Sequence, residues 1–384
     1  MGTRSRRGRA TTSAPRPAPT AAPASAPAPA RDGIPPALGP LNGRWLAVDR
    51  DGRLTAYARA RGGLLRWTER AAGGPEWGAP AFFPAQGLTD LAMARGRDGY
   101  THFVGRHHRP GDGGTDVDRV TYHHAVQYQS GRPLGPWNSL GTLYRRPEML
   151  HRGGPPALAV DARGAPHVFV RNAGRGVHVR RQDAGGKWVE WEDLRGSKTF
   201  EGPCADVTAE GRILLAAPGE KGISLWSQTG PGGPLHRGED IPYPAQDGSV
   251  CSLETAPGRI TRFWHAADGS GLVAHREGAG VLALGGGPGT GAVAAVRAVV
   301  DGYDCTVLAH RAASGRTALA AYPTENEAAG LWWTEIGEPC PGSPALAVDA
   351  RGRVVIASIA AGGELLVNRQ KDSSGLSLGR WQRL

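Results

Sequence analysis

The chain has 384 residues, 40% of them hydrophobic, with a formal charge of +10 and a mean hydropathy of −0.36. That is enough apolar material for a buried core, and no run of about 18 apolar residues exists to form a transmembrane helix. Glycine (58) and proline (31) are abundant, as in turn-rich all-β chains.

Residues 1–40 read as a disordered tail. MGTRSRRGRA is basic, and TTSAPRPAPTAAPASAPAPA holds no aliphatic side chain larger than alanine. Such a segment buries too little apolar surface to offset the entropy of ordering. Arg4, Arg6, Arg7, Arg9, Arg16 and Arg31 carry six of the ten net charges, leaving +4 for the rest. The basic balance belongs to the tail, where contact with nucleic acid is the alternative to a solvated arm. Arg6-Arg7 suggests a twin-arginine start, but prolines interrupt any apolar h-region. With no signal peptide recognised, a cytoplasmic location is the default expectation and non-classical export stays open.

From Leu41 the chain reads as similar cassettes. The first is WLAVDRDGRLTAYARARGGLLRWTER with PEWGAPAFF. The second is LAMARGRDGYTHFVGRHHR, an insertion, TYHHAVQ and GPWNSLGTL. The third opens on PALAVDARG at Pro156 and continues PHVFVRN, GRGVHVRRQ and KWVEWEDL. The fourth is CADVTAEGRILLAAPGEKGISLWSQ and the fifth CSLETAPGRITRFWHAADGSGLVAHRE. The sixth is AAVRAVVDGYDCTVLAHRAASGRTALAAYP with LWWTEIG. The seventh reopens on an identical PALAVDARG at Pro344 and continues RVVIASI, GELLVNRQ and GRWQRL.

Alternating apolar and small residues before D-x-x-G predict a strand and a tight hairpin turn. The turn glycines are Gly52, Gly99, Gly164, Gly211, Gly258, Gly302 and Gly352, spaced by 47, 65, 47, 47, 44 and 50 residues. The longest spacing holds the insertion around RHHRPGDGGTDVDRV. The two nonapeptides lie 188 residues apart, four periods of 47. Four strands per period, seven times over, predict an all-β fold. It is a single seven-bladed β-propeller with four antiparallel strands per blade across residues 41–384. The approximate blades are 43–87, 88–150, 151–202, 203–248, 249–292, 293–343 and 344–384.

Seven residues before each turn glycine stand Trp45, Ala92, Ala157, Cys204, Cys251, Ala295 and Ala345. A mostly small slot places the first strand near the crowded axis. Cys204 and Cys251 then occupy equivalent slots in adjacent blades, too far apart for a disulfide, so all four cysteines are expected to be free thiols. Their spacing matches no metal motif.

The pattern P-A-L-A-V-D-x-x-G, then V-F-V-R, R-Q and W-x-x-W-x-x-L, resembles the PLL-like seven-bladed propellers. These are bacterial lectins whose known members bind fucose and related sugars. Trp188 to Leu194 (WVEWEDL) matches best; the first, third and seventh cassettes are close, and the fifth has lost its aromatic fourth strand (GVLALGGGP). The resemblance implies a non-catalytic, carbohydrate-binding protein with a fucose-like glycan as partner. No cofactor or metal is expected.

A sugar site needs an aromatic face for the ring and planar donors for its hydroxyls. Arg171, Trp188 and Trp191 of the third cassette form the first candidate ligand-binding set, and Arg59 and Trp67 of the first cassette the second. Repeated tryptophans equally serve blade packing, and the Arg slot equally pairs with a carboxylate. Asp49, Asp161 and Asp349 read as turn formers.

Two other functions compete. One is a protein-interaction scaffold that keeps the fold without sugar sites. The other is a glycoside hydrolase, for which Asp90, Asp206 and Glu254 are the inner-strand acids. Asp206 and Glu254 differ in strand parity, and the S-x-D-x-G-x-T-W box is missing. His107, His108, His123 and His124, with Asp112, Asp116 and Asp118, surround the insertion. Adjacent histidines point to opposite faces of a strand, so solvated strand ends are expected rather than a metal site. GGGPGTG (285–291) lacks G-K-[ST] and reads as a turn.

Overall fold

The turn glycines set the architecture. In the computed structural model, which describes residues 33–111, 117–129, 131–371 and 375–384, all seven have φ between 74° and 81°. Only glycine adopts this conformation without strain. In the third blade the Asp161 carboxylate accepts the N–H groups of Arg163 (2.9 Å) and Ala165 (3.0 Å), while Gly164 N–H closes onto Asp161 O (3.0 Å). The aspartate fixes the turn and the glycine reverses the chain.

Seven sheets result, each built on four antiparallel strands counted outward from the axis. The third blade is typical: Pro156–Val160, Pro166–Arg171, Val177–Arg181 and Glu192–Asp193, paired in that order. Among the described residues the only helical elements are two three-residue 3-10 turns. The inner and outer hairpin turns share one face of the disc, here the turn face. The second-to-third-strand turns and the links between blades form the other, the connector face.

The first blade starts before Leu41. Ala37–Pro40 and Leu46–Val48 both pair with Leu54–Ala60, so its inner strand is built in two pieces. Ala37 is buried and Ile34 packs on the core, because apolar side chains return to the sequence here. Four residues assigned to the tail are thus a strand; the remaining tail expectation, for residues 1–32, lies outside the described residues. Between the two pieces Asn42–Gly43 crosses to pair in parallel with Ala92–Met93 of the second blade.

The ring closes by side-chain packing and hydrogen bonding rather than by a shared sheet. Ala347, Ala357, Ile359 and Leu365 of the seventh blade share one core with Trp45, Leu54 and Trp67 of the first. Ala37 N–H also donates to Gly363 O at 3.2 Å.

Small residues let the inner strands converge: Ala92, Ala157, Cys251, Ala295 and Ala345 are buried. Tryptophans clasp neighbouring blades farther out. The indole N–H groups of Trp137, Trp226 and Trp333 donate to Pro84 O (3.0 Å), Leu194 O (3.0 Å) and Leu284 O (2.8 Å), each in the preceding blade.

Arg44 crosses the axial channel from the first blade. Its guanidinium donates to Asp206 (3.2 Å) in the fourth blade and Ser252 O (3.1 Å) in the fifth. It separates a chamber of about 390 Å³ toward the turn face from one of about 350 Å³ toward the connector face.

Candidate functional site

On the turn face, between the third and fourth blades, lies a groove of about 520 Å³. The inner turn of the third blade supplies Asp161 and Ala165, and its outer strands supply Arg181, Gln182 and Glu192. The fourth blade closes the far side with Gly232 to Leu235. Cβ atoms are excluded at Gly232, where φ is +69° and Arg163 Nε would lie 2.6 Å away. The Arg163 side chain therefore lies across the bare backbone of Gly232.

The groove exists because of two residues. Blades 3 and 7 carry the same nonapeptide, but the next two residues are Ala165-Pro166 in one and Arg353-Val354 in the other. Between blades 7 and 1 the corresponding space holds two guanidiniums. Arg353 donates to Asp349 (2.9 Å) and Gly73 O (2.6 Å). Arg369 reaches Asp349 (3.2 Å), Glu69 and Gly74 O. In the third blade Ala165 fills none of this volume.

Pro166 acts on a second group. Val354 N–H donates to the Gln370 side chain (3.1 Å), and Ile213 N–H to Gln228 (2.9 Å). Proline has no N–H, so the equivalent Gln182 amide loses this anchor. The guanidinium of Arg181, the counterpart of Arg369, makes no hydrogen bond or ion pair among the described residues. Asp161 takes both turn bonds on one oxygen, Oδ1. Beneath them, His167 Nδ1 lies 3.0 Å from Ala165 O, a distance at which the Nδ1–H tautomer donates. Burial pushes the His167 pKa below the usual imidazole value.

The five expected ligand residues are not brought together. Trp67 is 2% exposed and sits in the core shared by blades 7 and 1, so it offers no face to a sugar. Its strand neighbour Arg59 is exposed on the connector face and donates to Pro40 O (3.3 Å). Arg171 also lies at the connector end, opposite Val177, whereas Trp188 pairs near Gln182 at the other end of the same strand. Arg171 is engaged by Thr199 O (3.0 Å) and Glu201 (3.3 Å). Trp188 packs edge-on against His124 and Trp191 against Tyr122, both in the second blade. The two indoles join blades 2 and 3, because a broad apolar side chain in the outer strand meets the neighbouring sheet before it meets solvent.

The acids considered for hydrolysis have structural partners. Asp206 accepts Arg44 and Ser252 N–H (2.9 Å), and Cys204 Sγ lies 3.2 Å from it. Glu254 accepts Ala209 N–H (2.6 Å) and Gly258 N–H (2.8 Å), and Asp90 pairs with Arg106 (3.2 Å). The histidines alternate as expected, but they are not all solvated strand ends: His123 meets His107 on one face, whereas His124 is buried on the other, against His102 (3.0 Å) and Trp188, because that face packs on the third blade. His108 faces Asp118 at 3.7 Å, while Asp112 and Asp116 lie outside the described residues. No cluster of three metal-binding side chains occurs among the described residues. All four cysteines are free thiols, and no described helix is long and apolar enough to cross a membrane.

No protein-family model matches this chain, and no curated protein matches it in sequence. Solved structures do resemble it. The BP39L lectin from Burkholderia pseudomallei superposes with a TM-score of 0.64 at 12% identity, covering 89% of this chain and 97% of the lectin. A Hadza microbial sialidase gives a TM-score of 0.50 at 12% identity, covering 88% of this chain and 66% of the sialidase. At such identities the likeness is one of fold: the chain shares the propeller of both a lectin and a sialidase.

Proposed function

We propose that this protein is a non-catalytic, carbohydrate-binding propeller and that the groove between blades 3 and 4 is its sugar site. The observation that carries this is a set of unengaged hydrogen-bonding groups around one groove: the free Asp161 oxygen, Arg181, the Gln182 amide and Glu192. Carboxylates accept from sugar hydroxyls, and guanidinium and amide groups donate to them. A volume of about 520 Å³ suits a mono- or disaccharide. The lectin-like fold and the resemblance of cassettes one, three and seven to PLL-like propellers support the same function.

The groove lacks a tryptophan platform, so recognition rests on polar contacts and a single site is weak, with a millimolar dissociation constant at about −4 kcal/mol. Screening the chain against immobilised glycans tests the proposal. Binding to a defined glycan set supports it, and no binding to any glycan at millimolar concentration removes it.

One observation favours a protein-interaction scaffold instead. Trp332 (86% exposed), Tyr303 (69%) and Val299 (64%) stand out on the sixth blade. Under that function the screen is empty, and Trp332→Ala abolishes partner capture without changing stability.

A further inference from the structure

We propose that the groove between blades 3 and 4 selects ligands bearing an ammonium or guanidinium group, so that among sugars it takes those with a free amine. The preference among sugars rests on the carbohydrate function proposed above; the cation seat itself does not.

The protein supplies its own template. Between blades 7 and 1 the equivalent space is occupied by the Arg353 guanidinium, held by Asp349 Oδ2 at 3.1 and 2.9 Å and by Gly73 O at 2.6 Å. Two parts of the seat recur between blades 3 and 4. Asp161 is 3% exposed and oriented by the same two turn N–H groups that orient Asp349. Gly232 stands where Gly73 stands, each overlaid by an arginine stem, Arg163 or Arg351. Two residues differ: Ala165 replaces Arg353, which removes the cation, and Gln228 stands where Glu69 stands, which removes one buried carboxylate, while the Asp161 carboxylate and the Gly232 backbone are kept.

Charge agrees with geometry. Three carboxylates, Asp161, Asp183 and Glu192, line the groove against two guanidiniums, Arg163 and Arg181. The groove thus carries one more carboxylate than guanidiniums. A buried carboxylate facing a cavity favours a cationic ligand over a neutral one, because the ligand replaces the lost hydration of the carboxylate. A ligand hydroxyl would satisfy the hydrogen bond and leave the charge.

Isothermal titration of the full chain at neutral pH distinguishes the outcomes. The probes are D-glucosamine, N-acetyl-D-glucosamine, L-fucose and agmatine. The expected result is that glucosamine and agmatine bind, and that N-acetylglucosamine and fucose bind at least tenfold more weakly. Ala165→Arg, which rebuilds the blade 7 arrangement, should abolish amine binding and leave the melting temperature unchanged or higher. Glu192→Gln, an exposed substitution that leaves the turn intact, should weaken amine binding three- to tenfold. It decides the matter if the first variant fails to fold.

Agmatine binding with no sugar binding upholds the cation seat, and an empty glycan screen beside it removes the carbohydrate function. Neutral sugars binding as well as glucosamine, untouched by either variant, overturn the cation seat and leave the carbohydrate function standing at another groove. No binding of any probe overturns the cation seat, and the glycan screen then decides the carbohydrate function.

Discussion

Replacing Arg369 with methionine removes the charge that ties blade 7 to blade 1. Its side chain is 13% exposed, and its partners Glu69 and Asp349 are fully buried. Asp349 keeps Arg353 at 2.9 Å. Among the described residues the Glu69 carboxylate keeps the Leu54 and Gly73 N–H groups, at 2.8 and 3.2 Å. Removing one partner of a buried pair costs about 3–5 kcal/mol. Unfolding entropy of about 2.1 cal/mol/K per residue over roughly 350 residues gives about 0.7 kcal/mol/K, so the melting temperature should fall by roughly 4–7 °C.

Calorimetry of the parent and variant at pH 7 measures this. Adding Glu69→Gln should recover more than half of the loss, because Gln228 performs the same backbone role in blade 4, accepting Ile213 N–H at 2.9 Å. Burial holds the Glu69 pKa above the usual carboxylate value, against the pull of Leu54 N–H and Arg369. An acid with a raised folded pKa loses stability as pH rises through the window between its unfolded and folded values. Arg369→Met should therefore regain stability as pH falls into the carboxylate range, and the double variant should not. A drop under 1 °C, or no rescue by Glu69→Gln, refutes the closure mechanism.

Acid should weaken the parent protein too. Burial lowers His102, His265 and His310 to a pKa of about 4 and His124 to about 3. Histidines held neutral contribute stability that is complete above their ordinary value near 6.5 and lost as pH falls toward 4. His265→Leu combined with His310→Leu should flatten the melting temperature across that window, and an unchanged slope rejects the cause. Trp226→Phe, which leaves Leu194 O without its indole donor, should cost about 1–2 kcal/mol, read as a lower urea midpoint at constant m-value. Thiol titration should find four thiols after denaturation and much slower reaction before it, since burial raises Cys251 to about 12 and Cys340 to about 11.

The propeller is legible because its signal is periodic. Seven glycine-marked turns at a near-even spacing leave few alternatives, and each glycine holds the left-handed backbone that a tight turn requires. The first strand is not legible, because Ala37–Pro40 comes directly after a Pro/Ala-rich stretch and belongs to a strand interrupted at residues 41–45. The site is less legible for a physical reason. Tryptophan and arginine at repeated positions suit sugar chemistry, yet position along a strand decides which end of the blade a side chain occupies. That separates Arg171 from Trp188, and burial takes Trp67 out of reach.

The signal that does mark the groove is present in the opposite form. It is the pair of residues just after the repeated nonapeptide, Ala165-Pro166 against Arg353-Val354. A turn-forming role for Asp161 accounts for only one of its oxygens. The other stands out as the proposed ligand group only once Arg353 is seen to occupy its counterpart. Arg181, Gln182 and Glu192 carry no motif, and nothing in the sequence alone brings them to Asp161.

The most direct measurement is a crystal structure of the protein with the tightest-binding sugar from the glycan screen. Density for the sugar between blades 3 and 4, contacting Asp161 and Arg181, is the predicted result. A sugar seated at another blade junction or in the axial channel, with the blade 3–4 groove holding only solvent, would contradict it.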